Sequence, residues 1–291
     1  MKKLIIISIL SILILGCANK KSFKMPSKYP DVKFAAASDI HFFDPELGTT
    51  GSAFQNYLDN DRKLLAESKE ITESFTKQII SSDIQFLIIS GDLTKDGEKI
   101  NHIKMAAYLK QIEDSGKKVY VINGNHDILN PESLSFQDNK TIPVPNITPQ
   151  EFKEIYSEFG YSEAILKDSA SLSYVAEPAP NLWLLMIDSC KYKNDLKLSI
   201  TEGEVKKDTL NWIKNCLNTA STKNISVIAV MHHGLLEHYP NNKKHYPEFV
   251  IKNSSEVTNL FLNSGINIIF TGHYHAQDAV IKKKKSSFYW I

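Results

Sequence analysis

Short apolar segments alternate with amphipathic segments along most of this chain. The apolar segments are rich in Val, Ile and Leu, and several are apolar nearly throughout, which is typical of strands covered on both faces. They predict strands at Val32–Ser38, Ile84–Ser90, Lys118–Ile122, Trp183–Asp188, Ile225–Met231 and Ile266–Thr271.

Helical periodicity occupies the segments between these strands. One apolar stripe is formed by Leu64, Ile71, Phe75 and Ile79, and a second, approximate one by Ile100, Ile103, Ala107 and Ile112. Further helices are predicted at Pro149–Phe159, Glu204–Ala220 and Ser254–Asn263. Strands that alternate with helices predict an α/β fold with a largely parallel or mixed sheet. No internal repeat divides the chain, so we expect one domain over residues 31–291.

The first residues have the pattern of an export signal. Two lysines precede the apolar run Leu4–Leu15, which is too short to span a bilayer comfortably but has the length of a signal-peptide core. The run ends in Leu-Gly-Cys17, which resembles the lipobox of bacterial lipoproteins; the alternative is an ordinary signal peptide with a chance cysteine. We interpret residues 1–17 as a lipoprotein signal and the polar residues 18–30 as a tether. An extracytoplasmic protein of the bacterial cell envelope, held on the membrane by lipid at Cys17, is expected.

Composition indicates a globular protein and narrows its partners only slightly. Of 291 residues, 42% are apolar and 23% are charged, which is enough apolar material for a substantial core. The formal net charge is +1, whereas proteins that bind nucleic-acid backbones usually carry a large excess of basic residues. We therefore expect no specific nucleic-acid binding. Three scattered cysteines exclude a disulfide framework and a CxxC zinc site. Any metal must therefore be held by oxygen and nitrogen ligands.

The residues that follow the strands carry the most informative pattern. In open α/β sheets, binding sites collect beyond the carboxyl ends of the strands. Any single short match is more often an ordinary loop residue, but five ordinary loops, each at a strand end, are a poor explanation. The five clusters, which we expect to converge on one crevice, are Asp39-Ile40-His41, Gly91-Asp92, Asn123-Gly124-Asn125-His126-Asp127, His232-His233 and Gly272-His273-Tyr274-His275.

The ligand types indicate which metals would bind. Carboxylates and imidazoles with an amide oxygen suit Mn, Fe, Zn or Co better than Ca, and two ions are needed to use so many ligands. If the Asp-x-His and His-x-His segments are extended, both side chains of each pair share a face and clamp the centre. Tight turns and close backbone approach are expected at the glycines that precede ligands, Gly91, Gly124 and Gly272.

In order, these blocks resemble the D-x-H, G-D, G-N-H-[DE], H and G-H-x-H pattern of the calcineurin-like metallophosphoesterase superfamily. The resemblance covers about Asp31 to Asp278. It implies a four-layer αββα fold, a β-sandwich flanked by helices, with a dinuclear metal site at one edge of the sheets. The implied first metal is held by Asp39, His41, Asp92 and His275, and the second by Asp92, Asn125, His232 and His273, with Asp92 as the bridge.

The resemblance also implies a reaction. His126 matches the histidine that lies beside the substrate, a candidate general acid and phosphate contact, with Asp127 as a supporting partner. Two cations about 3.5–4 Å apart bind a hydroxide, lower its pKa and neutralise a phosphate that lies across them. The expected activity is therefore hydrolysis of a phosphate ester by this hydroxide, with His126 protonating the leaving alkoxide. The sequence leaves open whether the substrate is a monoester or a diester.

Several histidines and loops admit more than one interpretation. Either His232 or His233 is the ligand, and the family pattern favours His232 at the strand end. His102 is interpreted as a surface or packing histidine rather than a ligand. Three long segments, residues 42–60, 128–148 and 234–249, are expected to overhang the ligands and to set substrate choice.

Two further classes of function fit the sequence less well. A lipoprotein that binds a metal or a phosphate without turnover would not need His126 beside a full ligand set. Zinc peptidases and metallo-β-lactamase-type hydrolases predict HExxH or HxHxDH, and neither string occurs. The pattern therefore favours a phosphoesterase.

The C-terminal sequence predicts an incomplete sheet. Residues 279–281 have the pattern of a new strand, which Lys282–Lys285 then interrupt. In the resembled family the G-H-x-H turn is followed by further paired strands. We therefore expect the C-terminal strands to be truncated and the protein to be less stable than a counterpart with the whole sheet.

Replacing the anchor cysteine tests the export hypothesis. Cys17→Ser removes the only thiol in the lipobox, so we expect the protein to leave the membrane fraction for the soluble exported fraction, or to remain as unprocessed precursor. Cell fractionation and mass spectrometry of the N-terminal peptide make the measurement. An unmodified Cys17 and unchanged fractionation would show that the protein is not a lipoprotein.

Overall fold

A computed structural model describes residues 29–193 and 197–282 of the chain. The predicted signal peptide, nearly all of the tether and most of the lysine run lie outside the described residues. Within the described part, no helix is both long enough and apolar enough to cross a bilayer. The predicted strand at 279–281 is described, and Ala279 and Val280 lie outside any strand.

Three parallel strands form the first sheet. They are β1 (Phe34–Ala37), β2 (Phe86–Ser90) and β3 (Lys118–Ile122), in that order across the sheet. Parallel neighbours need long crossovers. The first crossover carries α1 (Ser52–Asn60) and α2 (Ser68–Ser81), and the second carries α3 (Lys99–Asp114).

The second sheet has five strands. Its antiparallel part consists of β6 (Leu166–Lys167) and β7 (Tyr174–Ala179), and its parallel part of β8 (Leu182–Ile187), β9 (Ser226–Met231) and β10 (Ile269–Phe270). Their order across the sheet is β10–β9–β8–β7–β6. A separate hairpin joins β4 (Leu134–Gln137) to β5 (Lys140–Pro143). The remaining helices are α4 (Pro149–Ile155), α5 (Lys207–Thr222), α6 (Asn242–His245) and α7 (Ser254–Ser264).

The two sheets pack face to face, and the alternation of side chains along β8 shows both faces of the second sheet. Leu182, Leu184 and Met186 belong to the core shared with β2 and β3. Trp183 and the other alternate residues of β8 pack instead against α5 and α7. Between the sheets, the Tyr174 hydroxyl donates to the Val121 carbonyl oxygen at 2.8 Å. The mixed α/β architecture expected from the sequence is confirmed.

The predicted strands are located correctly and differ at their ends. Lys118–Ile122 has the predicted bounds, whereas Ile266–Thr271 shortens to the two residues of β10. The α-helix predicted at Pro149–Phe159 ends at Ile155 and is followed by a π-helical turn, Ser157–Tyr161, whose backbone is non-helical at Phe159 and Gly160.

The buried faces predicted for α2 and α3 from their apolar stripes are partly wrong. Ile71 is 46% exposed and Ile103 is 52% exposed. Polar residues occupy part of the buried faces instead, because they hold the loop that follows β1. Ser68 Oγ accepts a hydrogen bond from the Phe43 amide at 2.9 Å, and Asn101 Oδ1 accepts one from the Asp44 amide at 2.9 Å. A hydrophobic pattern cannot predict a buried helix face whose partner is loop backbone.

Candidate metal centre

The carboxyl ends of five strands supply one cluster of polar side chains. β1, β2 and β3 of the first sheet and β9 and β10 of the second each lead into one of the five sequence blocks. The predicted convergence of the blocks is therefore realised where the two sheets meet. The metal-binding candidates of this cluster are Asp39, His41, Asp92, Asn125, His232, His273 and His275.

The ligand atoms form two groups, and within each group all of them lie within 4.8 Å of one another. The first comprises Asp39, His41, Asp92 and His275, and the second comprises Asp92, His232 and His273. The amide oxygen of Asn125 joins the second group at 2.9 Å from His232 Nε2. Asp92 is common to both groups, which is the arrangement that a bridging ligand requires.

Distances within the groups show how closely the donor atoms converge. In the first group, His41 Nε2 lies 3.0 Å from His275 Nε2 and 3.6 Å from Asp92 Oδ2. In the second, His232 Nε2 lies 3.2 Å from the same Asp92 oxygen. Within each group, the donor atoms therefore all face the same small space.

The backbone at five of the seven candidate ligands is left-handed rather than extended. Such a conformation is uncommon without glycine and costs on the order of 1 kcal/mol for each residue. The expectation of extended Asp-x-His and His-x-His segments is therefore wrong, yet both side chains of each pair still reach the cluster. The positive φ angles are 54° at Asp39, 45° at His41, 50° at Asp92, 72° at His273 and 50° at His275.

Glycine is required where the loops pass closest to the ligands. A Cβ atom at Gly124 would lie 2.0 Å from Asp92 Oδ1, and one at Gly272 would lie 2.5 Å from Asp39 Oδ2. Gly91, which precedes Asp92, has a φ of 97°. The close approach predicted at these three glycines is confirmed.

Hydrogen bonds from the backbone orient the ligands. His232 Nδ1 donates to the Ser90 carbonyl oxygen at 2.9 Å, which directs Nε2 toward the cluster. The Asp39 carboxylate accepts from the His273 amide at 2.9 Å, and Asp92 Oδ1 accepts from the His126 amide at 2.9 Å. These contacts leave the ligand atoms available.

The surroundings of His273 Nε2 indicate whether the site fits a metal. His273 Nε2 is buried and has no hydrogen-bond partner among the described residues. Burial, helped by the charge of His232, lowers the pKa of His273 to about 3, so its imidazole is neutral, as a metal ligand must be. Burial alone would raise the pKa of Asp92, but His232 and His126 hold it well below its usual range. The neutral imidazoles of His41 and His273 beside the ionised Asp92 carboxylate fit divalent transition-metal ions.

The two adjacent histidines after β9 point to different places. His232 faces Asp92 and the second group of ligand atoms. His233 is fully buried, and its nitrogens lie 2.9 Å from Ser189 Oγ and 3.0 Å from the Thr201 carbonyl oxygen. With both ring nitrogens already partnered, His233 is not placed to bind a metal.

His126 lies beside the first group and is held by a carboxylate that the sequence motifs do not include. Its ring centroid is 5.0 Å from that of His41, and its side chain is 18% exposed. His126 Nδ1 lies 2.6 Å from Asp96 Oδ1. The only sequence signal for Asp96 is its place in the same loop as Asp92, four residues later.

Asp127, predicted as the supporting partner of His126, contacts backbone rather than the His126 ring. Its carboxylate is fully buried and accepts from the amides of Gly124 at 2.8 Å, Thr94 at 3.1 Å and Leu93 at 3.3 Å. Burial, with the nearby charge of Asp92, raises the pKa of Asp127 to about 7. Asp127 therefore joins the loops that follow β2 and β3.

His102 supports the same loop from α3. It is fully buried, with Nε2 2.8 Å from the Asp127 carbonyl oxygen and Nδ1 2.8 Å from the Tyr156 hydroxyl. It lies outside both groups of ligand atoms, in agreement with its interpretation as a packing histidine.

Two of the long segments expected to overhang the ligands contact the centre. From residues 42–60, the Tyr57 hydroxyl donates to Asp96 Oδ2 at 3.4 Å. From residues 234–249, Phe249 lies 5.3 Å from the ring of His273 and stacks on Tyr274 at 4.8 Å. These segments form the surroundings in which a substrate would bind.

Comparison with known proteins gives one family and several similar structures. A sequence profile described as calcineurin-like phosphoesterase matches residues 32–277. No curated protein sequence matches the chain. A dimetal phosphatase from Danio rerio has a similar structure, with a TM-score of 0.58 at 14% identity over 87% of this chain and 85% of that one. The phosphopantetheinyl hydrolase of Mycobacterium tuberculosis aligns with a TM-score of 0.42 at 13% identity, over 89% of this chain and 87% of that one.

Substitution of the shared carboxylate should affect both groups of ligands. With Asp92→Asn we expect the loss of metal from both, because the side chain loses its charge where both groups meet. Asn125→Ala should weaken the second group alone. Metal content of the purified proteins, measured by inductively coupled plasma mass spectrometry, makes the comparison. The exposed Asp208→Asn on α5 serves as the control, and full metal occupancy in Asp92→Asn would exclude the bridging role.

Proposed function

Because the chain belongs to the calcineurin-like phosphoesterase family, whose members are metal-dependent phosphoric ester hydrolases, we propose that it cleaves its ester with two divalent ions held by the two groups of ligands. The observation that carries the proposal is the position of Asp92, a fully buried carboxylate common to both groups. Mn, Fe, Zn and Co all suit this donor set.

The ligands create a site that demands positive charge. Asp39 and Asp92 place two carboxylates side by side among imidazoles, and burying anions without cations is costly. When bound, a pair of divalent ions supplies a water of lowered pKa and neutralises charge on the phosphate. Most of the remaining work in phosphoryl transfer is positioning and charge stabilisation, which the rigid loops provide.

His126 is the group proposed to act on the leaving oxygen. Asp96 accepts the Nδ1 proton of His126 and fixes the ring, which leaves Nε2 to face the substrate. Asp96 is itself held by the buried ammonium of Lys95. The ring of His126 is partly exposed, whereas the Asp127 carboxylate is buried among loop amides. We therefore assign the proton transfer to His126 and a positioning role to Asp127.

The proposed place of the reaction is outside the cytoplasm. Its support is the sequence of residues 1–17, which has a signal-peptide core and ends in Cys17. A substrate for a lipid-anchored enzyme would be an ester that is present in the cell envelope or its surroundings.

A panel of three esters tests the activity. Purified protein loaded with Mn²⁺ or Zn²⁺ should hydrolyse at least one of p-nitrophenyl phosphate, bis(p-nitrophenyl) phosphate and a cyclic nucleotide. Removal of the metal with a chelator should abolish turnover, and adding the metal back should restore it. If folded, metal-loaded protein acts on none of these esters, the enzyme proposal is wrong and a metal- or phosphate-binding protein without turnover takes its place.

Substitution of the proposed acid should lower the rate without removing metal. We expect His126→Ala to keep its metal and to lose about 10²- to 10⁴-fold in kcat, most severely for esters with poor leaving groups. Asp96→Asn should show the same leaving-group dependence with a smaller loss, because the imidazole of His126 that carries the proton remains. Rates across a series of aryl phosphates measure this dependence. A loss independent of leaving-group pKa would assign His126 to phosphate contact instead.

A further inference from the structure

Lys63 is a largely buried cation that lies outside both groups of metal ligands and is linked to His126 through Tyr57 and Asp96. Lys63 follows α1, and its side chain is only 8% exposed. Its ammonium donates to Asp61 Oδ2 at 3.1 Å and to the Tyr57 hydroxyl at 3.4 Å. An ammonium has three protons, so these two partners leave one proton for a further acceptor.

Contacts connect Lys63 to the candidate acid. The Tyr57 hydroxyl accepts a hydrogen bond from Lys63 and donates one to Asp96 Oδ2 at 3.4 Å. Asp96 in turn contacts His126 Nδ1. His126 in turn lies 5.0 Å, from ring centre to ring centre, from His41 of the first group of ligands.

The neighbouring Lys95 has no such capacity. Its side chain is fully buried, and its ammonium donates to Asp96, to Glu98 at 3.1 Å and to the Glu132 carbonyl oxygen at 3.4 Å. These acceptors use all three of its protons. Lys95 also lies 4.8 Å from the centre of the Tyr57 ring, so it holds in place the tyrosine that contacts Lys63.

A cation at this position would interact with the negative charge of a bound phosphate. Two divalent ions would carry four positive charges, of which the carboxylates of Asp39 and Asp92 neutralise half. A phosphomonoester dianion and an attacking hydroxide together exceed what remains. The protonated His126 would offset one of these charges, and a further ammonium beside the substrate would add a charge-assisted hydrogen bond to the dianion, of a kind that is stronger than a bond between neutral groups.

We propose that Lys63 binds a non-bridging oxygen of the substrate phosphate through its third proton and so favours phosphomonoester dianions over diesters. This inference rests on the proposed phosphoesterase function and names its substrate class. The segment between β1 and β2, which carries α1 and Lys63, then contributes directly to specificity. A diester has one charged oxygen fewer and gains less from the same ammonium.

The test compares two substrates that share a leaving group. The full chain, loaded with Mn²⁺, is assayed with p-nitrophenyl phosphate and with bis(p-nitrophenyl) phosphate. We expect Lys63→Met to lower kcat/KM for the monoester about 10- to 100-fold, the range of a hydrogen bond to a charged group. The diester should change by less than about threefold, and Lys63→Arg should keep most of the monoester activity. The exposed Lys223→Met, at the end of α5, is the matched control.

A binding measurement gives a readout that does not depend on turnover. Inorganic phosphate should raise the Tm of the metal-loaded wild type, because a ligand that binds only the folded state stabilises it. Lys63→Met should lose most of this shift, whereas Lys223→Met should keep it. If Lys63→Met does not fold, Lys63→Gln, which retains a donor toward Asp61 and Tyr57, takes its place.

The outcomes separate this inference from the proposed function. An equal loss on both esters would show that Lys63 acts only through Asp96 and His126, and would overturn the inference. Unchanged kinetics and an unchanged phosphate shift would overturn it as well. If the wild type hydrolyses neither ester, the proposed function fails, and the phosphate shift alone then decides whether Lys63 binds phosphate.

Discussion

The buried carboxylate of Asp92 is the constraint on which the rest of the centre depends. It is fully buried at the end of β2, where the two sheets meet, and it contacts His41, His232 and the His126 amide. An ionised carboxylate in such a place is unfavourable unless opposite charge or hydrogen bonds compensate it. The loops around it are accordingly built to leave donor atoms facing one another, an arrangement that divalent cations would stabilise.

This arrangement carries a conformational cost that the surrounding structure must offset. Five of the candidate ligands have left-handed backbones, which a free loop would rarely adopt. Asp127 ties together the loops that follow β2 and β3, and His102 fixes Asp127 from α3. Ser68 and Asn101 hold the loop after β1 in the same way. The polar residues on the buried faces of α2 and α3 therefore serve the geometry of the centre.

The residues that surround the ligands belong to the segments between the strands. Lys95 lies against the aromatic rings of Phe43, Tyr57 and Phe136, and it also holds Asp96, which contacts His126. α1 and the β4–β5 hairpin are thereby coupled to the proposed acid. Changes in these segments would act on the proposed acid, whereas the strands that lead into the ligands could stay unchanged.

The sequence by itself located β1, β2, β3, β8, β9 and β10 and the helices α2, α3, α4, α5 and α7, because apolar runs and helical periodicity depend mainly on local residue type. It did not predict β4, β5, β6, β7, α1 or α6. It also gave five blocks of ligand chemistry after five strands, and the resemblance of these blocks to a family pattern supplied the candidate ligands. The tertiary structure decided what depends on contacts between distant segments. It separated His232 from His233 through the partners Ser189 and Thr201, and it gave His126 its partner Asp96. It also turned Ile103 outward and His102 inward, because the partner of that helix face is polar loop backbone rather than a second apolar surface.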